Sequence, residues 1–168
     1  MCLKRFSDAV ELRSISADET VALRHAVLWP DHPISHVRLS EDDLGFHYGA
    51  FLPSHDAPVA VISVFRDPLP MKSIEDQESD SGRTVTAARF RKFACDPAYQ
   101  GRGIGTKLLQ YVFRMAREEL GCDVVWCDAR LSTAGWYERR GMSRFGVTFF
   151  KEHIEYVRMR GPSAQVVS

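Results

Sequence analysis

Residues 93–109 read FACDPAYQGRGIGTKLL. They place three glycines between a strand-like run ending at Cys95 and an amphipathic helical run. Glycine brings the backbone close to a ligand and tolerates positive φ. Successive N–H groups of Gly101, Arg102, Gly103, Ile104, Gly105 and Thr106 can therefore face one concavity at the positive end of a helix dipole. That chemistry suits a phosphate or pyrophosphate. Asp96-Pro97 sets the turn that enters the loop. Arg89, Arg91, Lys92, Arg102 and Lys107 flank it with only Asp96 opposed, so a basic spot is expected on a chain whose formal net charge is zero.

Two other glycine-loop chemistries fail on spacing. A P-loop needs Gly-Lys-Ser/Thr, and here Gly105-Thr106-Lys107 has the order reversed. The dinucleotide fingerprint would begin at Gly101 and Gly103 but meets Thr106 where its third glycine belongs, and it would follow four strands rather than open the first βαβ unit. Elsewhere, Tyr137 offers a phenol as a proton donor or simply packs beside Trp136. Asp128, Glu152, His153 and Glu155 are candidate bases, and nothing in their order selects one. Cys127 has no histidine placed by sequence to activate it, which disfavours a covalent route. His32 and His36 straddle Pro33 without a carboxylate-histidine motif, so no metal is expected.

The elements that must position these groups follow from local pattern. A first strand spans 8–14. Ser16 and Glu19 form a capping box ahead of a helix that must stop before Pro30. Strands over 46–52 and 59–66 flank a turn, and the apolar run Val59-Ala60-Val61-Ile62 marks the second as central. Residues 67–82 carry prolines, serines and carboxylates and read as a flexible insertion. A strand over 85–95, a helix over 103–120, a strand over 123–129 and a helix over 132–140 follow. Gly141 closes that last helix in a left-handed conformation. Two strands near 144–150 and 154–160 complete the chain. Residues 1–161 form one domain on this reading, with a disordered tail at 162–168.

The run from Asp96 to Gly105 resembles the coenzyme A loop of the GCN5-related N-acetyltransferases, whose Q/R-x-x-G-x-G/A pattern is filled by Gln100, Gly103 and Gly105. Ala134-Gly135-Trp136-Tyr137-Glu138-Arg139-Arg140-Gly141-Met142 resembles the A-x-x-F-Y-E-x-x-G-F helix end of the same superfamily, with Trp and Met in place of Phe. Element order extends the likeness over roughly 14–160. The resemblance implies an α/β fold: a mixed, mostly antiparallel central sheet of six or seven strands, splayed at the cofactor site, with helices on both faces. It implies that Phe93, Ala94 and Cys95 hold the pantetheine arm by main-chain bonds, and that Gln100 through Thr106 hold the pyrophosphate. Tyr137 becomes the general acid. Arg24, Trp29 and His32, with His25, Asp31 and Arg38 near them, fall where an acceptor would be read.

The expected function is transfer of acetyl from acetyl-CoA to a primary amine of a small molecule or peptide, by direct attack in a ternary complex and without a metal. A non-catalytic coenzyme A-binding regulatory module is the alternative. An interaction protein using the acidic 67–82 stretch would show no coenzyme affinity at all. Composition fits this range, with 45% apolar and 26% charged residues, close to an average globular domain. Zero net charge argues against nucleic acid as a partner. No run reaches the roughly 20 apolar residues of a membrane span, and the N-terminus lacks an apolar region behind its basic residues. Four cysteines without a C-x-x-C pair suit reduced thiols in the cytoplasm. Monomer and homodimer both remain open.

Overall fold

The computed structural model describes residues 9–70 and 85–164. Most of the expected insertion, 71–82, and the last four tail residues lie outside that range. Seven strands form one sheet: β1 (Glu11–Ile15), β2 (Phe46–Phe51), β3 (Ala60–Arg66), β4 (Ala87–Cys95), β5 (Val124–Arg130), β6 (Ser143–Lys151) and β7 (Ile154–Pro162). Their order is β1-β2-β3-β4-β5-β7-β6. The pairs β1–β2, β2–β3, β5–β7 and β6–β7 are antiparallel, and β4–β5 is parallel. The expected α/β architecture with a mostly antiparallel sheet is what the chain forms. By contact the chain divides into two compact units, Met1–Phe65 with Arg91–Val112, and Arg66–Phe90 with Phe113–Ser168.

In the first unit the apolar run Val59 to Phe65 is buried throughout, as a strand covered on both faces must be. Both bonds of the capping box form: Ser16 N–H donates to Glu19 Oε2 at 2.9 Å, and Glu19 N–H to Ser16 Oγ at 3.3 Å. The helical segment that follows is irregular. A 3-10 turn (Asp18–Thr20) leads to α1 (Val21–Leu23) and then to a π turn (Arg24–Leu28). Trp29 N–H ends it, bonding the carbonyls of Arg24 and His25 at 3.3 Å each.

Arg24 points inward and is fully buried. Its Nη1 donates to Asp42 Oδ2 at 2.8 Å and to the Val37 carbonyl at 3.1 Å; its Nη2 donates to Asp42 Oδ1 at 2.9 Å and to Ser63 Oγ at 2.7 Å. His47 joins from β2, with Nε2 2.9 Å from the Asp42 carbonyl and Nδ1 2.7 Å from Ser63 Oγ. A carbonyl only accepts, so Nε2 carries the proton and Nδ1 accepts from the Ser63 hydroxyl. The network ties the π turn, β2, β3 and the loop before β2 together. Burial alone would raise the Asp42 carboxyl, but the Arg24 hydrogen bond and the Leu39 N–H outweigh it and hold it below its ordinary value.

In the second unit β7 lies between β5 and β6. Gly146, at φ +70°, accompanies a register shift between Phe145 and Phe149 on β6. Helix α3 (Ala134–Glu138) follows a 3-10 turn (Leu131–Thr133) and is shorter than expected. Gly141 ends it at φ +90°, as the sequence predicts. The fold takes in two residues that the sequence assigns to the tail. Pro162 still pairs with Val124, and buried Ser163 donates its N–H to the Asp123 carbonyl and its hydroxyl to the Cys122 carbonyl, at 2.8 and 2.7 Å. Those two carbonyls need partners, and Ser163 supplies them.

Candidate active site

Helix α2 (Ile104–Glu118) owes its place to one apolar stripe: Ile104, Leu108, Leu109, Val112, Phe113 and Ala116 are all buried. Ahead of it the loop is built by short local bonds. Asp96 caps the 3-10 turn Pro97–Tyr99, its Oδ1 accepting from Ala98 N–H at 2.9 Å, while its own N–H donates to the Val59 carbonyl at 2.8 Å. Gln100 closes the turn, its Nε2 donating to the Cys95 carbonyl at 3.0 Å. Gly101 and Gly103 then adopt φ +77° and +80°. A Cβ at either position would meet nothing within 4 Å. The requirement for glycine is therefore conformational, and the space beside both residues is open. Gly103 O accepts the first helical bond, from Lys107 N–H at 3.1 Å, so α2 presents its opening N–H groups directly after this turn. Gly105 lies inside α2 and is not among the left-handed glycines, which corrects the expectation that all three glycines supply positive φ.

The basic spot is smaller than the sequence suggests. Arg91 sits 3.6 Å from Glu41, and Arg89 is engaged by Asp67 and Asp128. Lys92 covers the Trp29 ring at 4.1 Å. On the loop itself, Arg102 lies 5.5 Å from the centre of the Tyr99 ring. On β4, Lys92 has φ +55°, unusual for a side chain of this length, and it interrupts the pleat just before Phe93, Ala94 and Cys95. No pattern in the sequence marks that irregularity. Ala94 is buried, whereas Phe93 and Cys95 are partly exposed. Among the described residues the β4–β5 ladder consists of Ala87–Arg89 with Val124–Trp126.

In the second unit Tyr137 lies on α3, its ring 5.9 Å from Phe90 and edge-on to Trp136 at 5.1 Å. The ring packs beside Trp136, and the residue as a whole is half-buried. Its hydroxyl makes no hydrogen bond to any described residue. Burial, with a smaller contribution from Cys127, pushes the phenol well above its ordinary value. It therefore stays protonated across the physiological range, the state a proton donor needs. Cys127 is fully buried and its thiol is pushed up too, mainly by burial, so it is a poor nucleophile.

The acetyltransferase (GNAT) family matches the chain over residues 11–142. The chain belongs to that family. The Bacillus subtilis (strain 168) protein YitI, named an uncharacterized N-acetyltransferase, is 27% identical over 142 residues, covering 83% of this chain and 87% of its own length. The structure of Arabidopsis thaliana NAA60 in complex with acetyl-CoA superposes with a TM-score of 0.71 at 13% identity, covering 91% of this chain and 98% of that one. FeeM, an N-acyl amino acid synthase from uncultured soil microbes, gives 0.68 at 17% identity, covering 92% and 91%. At such identities the two structures share the fold. This GNAT protein is an acyltransferase enzyme. Among the described residues it has no helix long and apolar enough to cross a membrane and no group of three or more potential metal ligands.

For the acceptor side of this GNAT chain the structure separates the candidates. Arg24 is corrected: a fully buried guanidinium committed to Asp42, Ser63 and Val37 has no face left for a substrate. Trp29 and His32 instead form an open cluster with His36. Trp29 meets His36 edge-on at 5.2 Å, and His32 stacks on His36 at 4.3 Å. His25 Nε2 donates to the His32 carbonyl at 2.7 Å and pins the loop. Arg38 is ion-paired to Asp18. Sequence reasoning missed the closing bond of Gln100 and the gathering of cations on Asp128. Alternating Arg158 and Arg160 on the last strand was the available signal for the second.

Proposed function

We propose that this enzyme transfers acetyl from acetyl-CoA to a primary amine of a small molecule or peptide, by direct attack in a ternary complex. The observation that carries the reading is the left-handed pair Gly101 and Gly103, open beside their Cα atoms and placed directly before the α2 N-terminus. Such a loop suits a pyrophosphate, with the N–H groups of residues 101–106 as donors and Arg102 adding charge. The choice of donor is supported by two structures of the same fold, one of NAA60 with acetyl-CoA and one of the NatC complex bound to Gag peptide and CoA. Main-chain groups of Phe93 and Cys95, with Ala94 between them, hold the pantetheine arm as an added strand.

The amine attacks the thioester carbonyl carbon, the C–S bond breaks, and the thiolate takes a proton from the Tyr137 hydroxyl. The amine's surplus proton leaves to water, and the tyrosinate is reprotonated from solvent. Its place on α3 beside Trp136, with a hydroxyl that makes no hydrogen bond to any described residue, supports this role. Tyr137→Phe tests it, because removing the hydroxyl orphans no group among the described residues. Turnover, read as thiol release, is expected to fall by about 10²–10⁴ while acetyl-CoA affinity stays within about twofold. Undiminished turnover would remove Tyr137 from the mechanism.

A further inference from the structure

On β5, Asp128 follows Cys127 and projects from the opposite face of the strand. Its side chain is only 9% exposed, yet three cations share it. Oδ2 accepts from Arg89 Nη2 at 2.8 Å and from Lys151 Nζ at 3.0 Å, and Oδ1 stands 3.4 Å from Arg158 Nε. That last approach is too poorly aligned for a hydrogen bond. Asp128 Oδ1, Arg158 Nε and Arg89 Nε are all buried without a hydrogen-bond partner among the described residues. Each cation also lies over a ring: Arg89 over Trp126 at 4.8 Å, Arg158 over Phe149 at 4.5 Å, Lys151 over Tyr156 at 4.9 Å.

Strand register brings more positive charge to the same face. Arg160 pairs with Trp126 and covers Phe145 at 4.8 Å, and Arg130 pairs with Tyr156. Among the described residues Asp128 and Asp67 oppose them, the latter 3.4 Å from Arg89. Among those residues positive charge is therefore in excess here, on a chain of zero formal net charge. Arg158 is 30% exposed and Lys151 49%. The side chains of Arg130, Arg158 and Arg160 donate no hydrogen bond to any described residue. Like charges held together in a partly dehydrated setting are costly unless an anion completes the set. Nucleic acid is a poor match, because the chain's own cations already cover the rings on which bases would stack.

We propose that this face recognises an acidic group on the acceptor. The amine substrate carries a carboxylate or a phosphate, held by Arg158 and flanked by Lys151, and Asp128 is the positioning residue that fixes Arg89 and Lys151 in place. The inference rests on the acetyltransfer reading for its acceptor, and on the charge geometry alone for its anion.

Two experiments test it together. Matched acceptors separate the sources of charge: amino acids against their carboxamides for the carboxylate, O-phosphoethanolamine against ethanolamine for the phosphate. In at least one pair the acidic member is expected to have a kcat/KM about 10- to 100-fold higher, carried in KM. Arg158→Gln should erase that ratio, the loss appearing in KM, and Arg158→Lys should restore part of it. Separately, the Arg158 Nε–H resonance should shift saturably on titration with acetate or inorganic phosphate, without any turnover. Equal use of neutral acceptors, a ratio unchanged in Arg158→Gln, or an Arg158 signal indifferent to both anions would overturn the proposal. A responsive Arg158 in an enzyme that consumes no amine would overturn the acceptor assignment and leave the anion site.

Discussion

Alanine at Gly103 isolates what the glycine loop, proposed above to hold the coenzyme, asks of its backbone. Gly103 has φ +80°, and an added Cβ meets no atom within 4 Å, so crowding contributes nothing to the cost. What remains is the strain of an L-residue in the left-handed region, about 1–2 kcal/mol. Without ligand the loop can relax to negative φ and avoid much of that strain. Alanine also stiffens the unfolded chain, which favours the folded state by about 0.4–1 kcal/mol. Apo stability should therefore change little. Coenzyme binding must restore the left-handed turn, so the strain reappears as lost affinity. At tenfold per 1.4 kcal/mol this is a weakening of about 5- to 30-fold. Calorimetric titration gives the affinity and urea unfolding gives the stability. The two losses, with the unfolded-state gain added back, should together equal the strain. If neither changes in Gly103→Ala, a left-handed Gly103 is not what the coenzyme requires.

The buried pair under β3 is the second test. Arg24→Ala leaves Asp42 charged and unpaired and should cost about 3–5 kcal/mol in urea unfolding, whereas an exposed acceptor-binding arginine would cost close to nothing. Because Asp42 is held below its ordinary value when folded, its stabilising contribution is complete above the unfolded carboxyl's pKa, near pH 4, and is lost as pH falls below that. Asp42→Asn should flatten that acid limb of the stability profile. Tyr137 acts at the other end of the scale. Its raised folded value means that stability is kept below the unfolded phenol's pKa of about 10 and is lost as pH rises above it. The wild type should therefore weaken more steeply than Tyr137→Phe above pH 10, measured by unfolding at graded alkaline pH.

Much of the molecule was legible because its local signals agree with one another. The Ser16–Glu19 box, the apolar run at Val59–Phe65, the loop at 96–103 and the stop at Gly141 each state one conformation and have no rival. Arg24 misled for a physical reason. An arginine on a helix near a polar loop reads as surface, and its burial depends on Asp42, Ser63 and His47, partners far apart in sequence. The π turn that ends the same segment has no composition signature. Arg89 and Arg91 likewise read as loop cations because they are near it in sequence, although pleating and pairing give them to Asp128 and Glu41. The late end of β7 depended on Ser163 meeting two carbonyls across the sheet, a long-range bond that terminal position does not announce. The left-handed turns at Gly101 and Gly103 were readable from glycine spacing, while the helical conformation at Gly105 was not.

The most direct measurement is calorimetric titration of the purified protein with acetyl-CoA, with ATP and NADH as controls. Saturable one-to-one binding of acetyl-CoA, at least tenfold tighter than either control, is the expected result. Folded protein that binds none of the three, or all three alike, would contradict the coenzyme assignment at the Gly101–Gly103 loop.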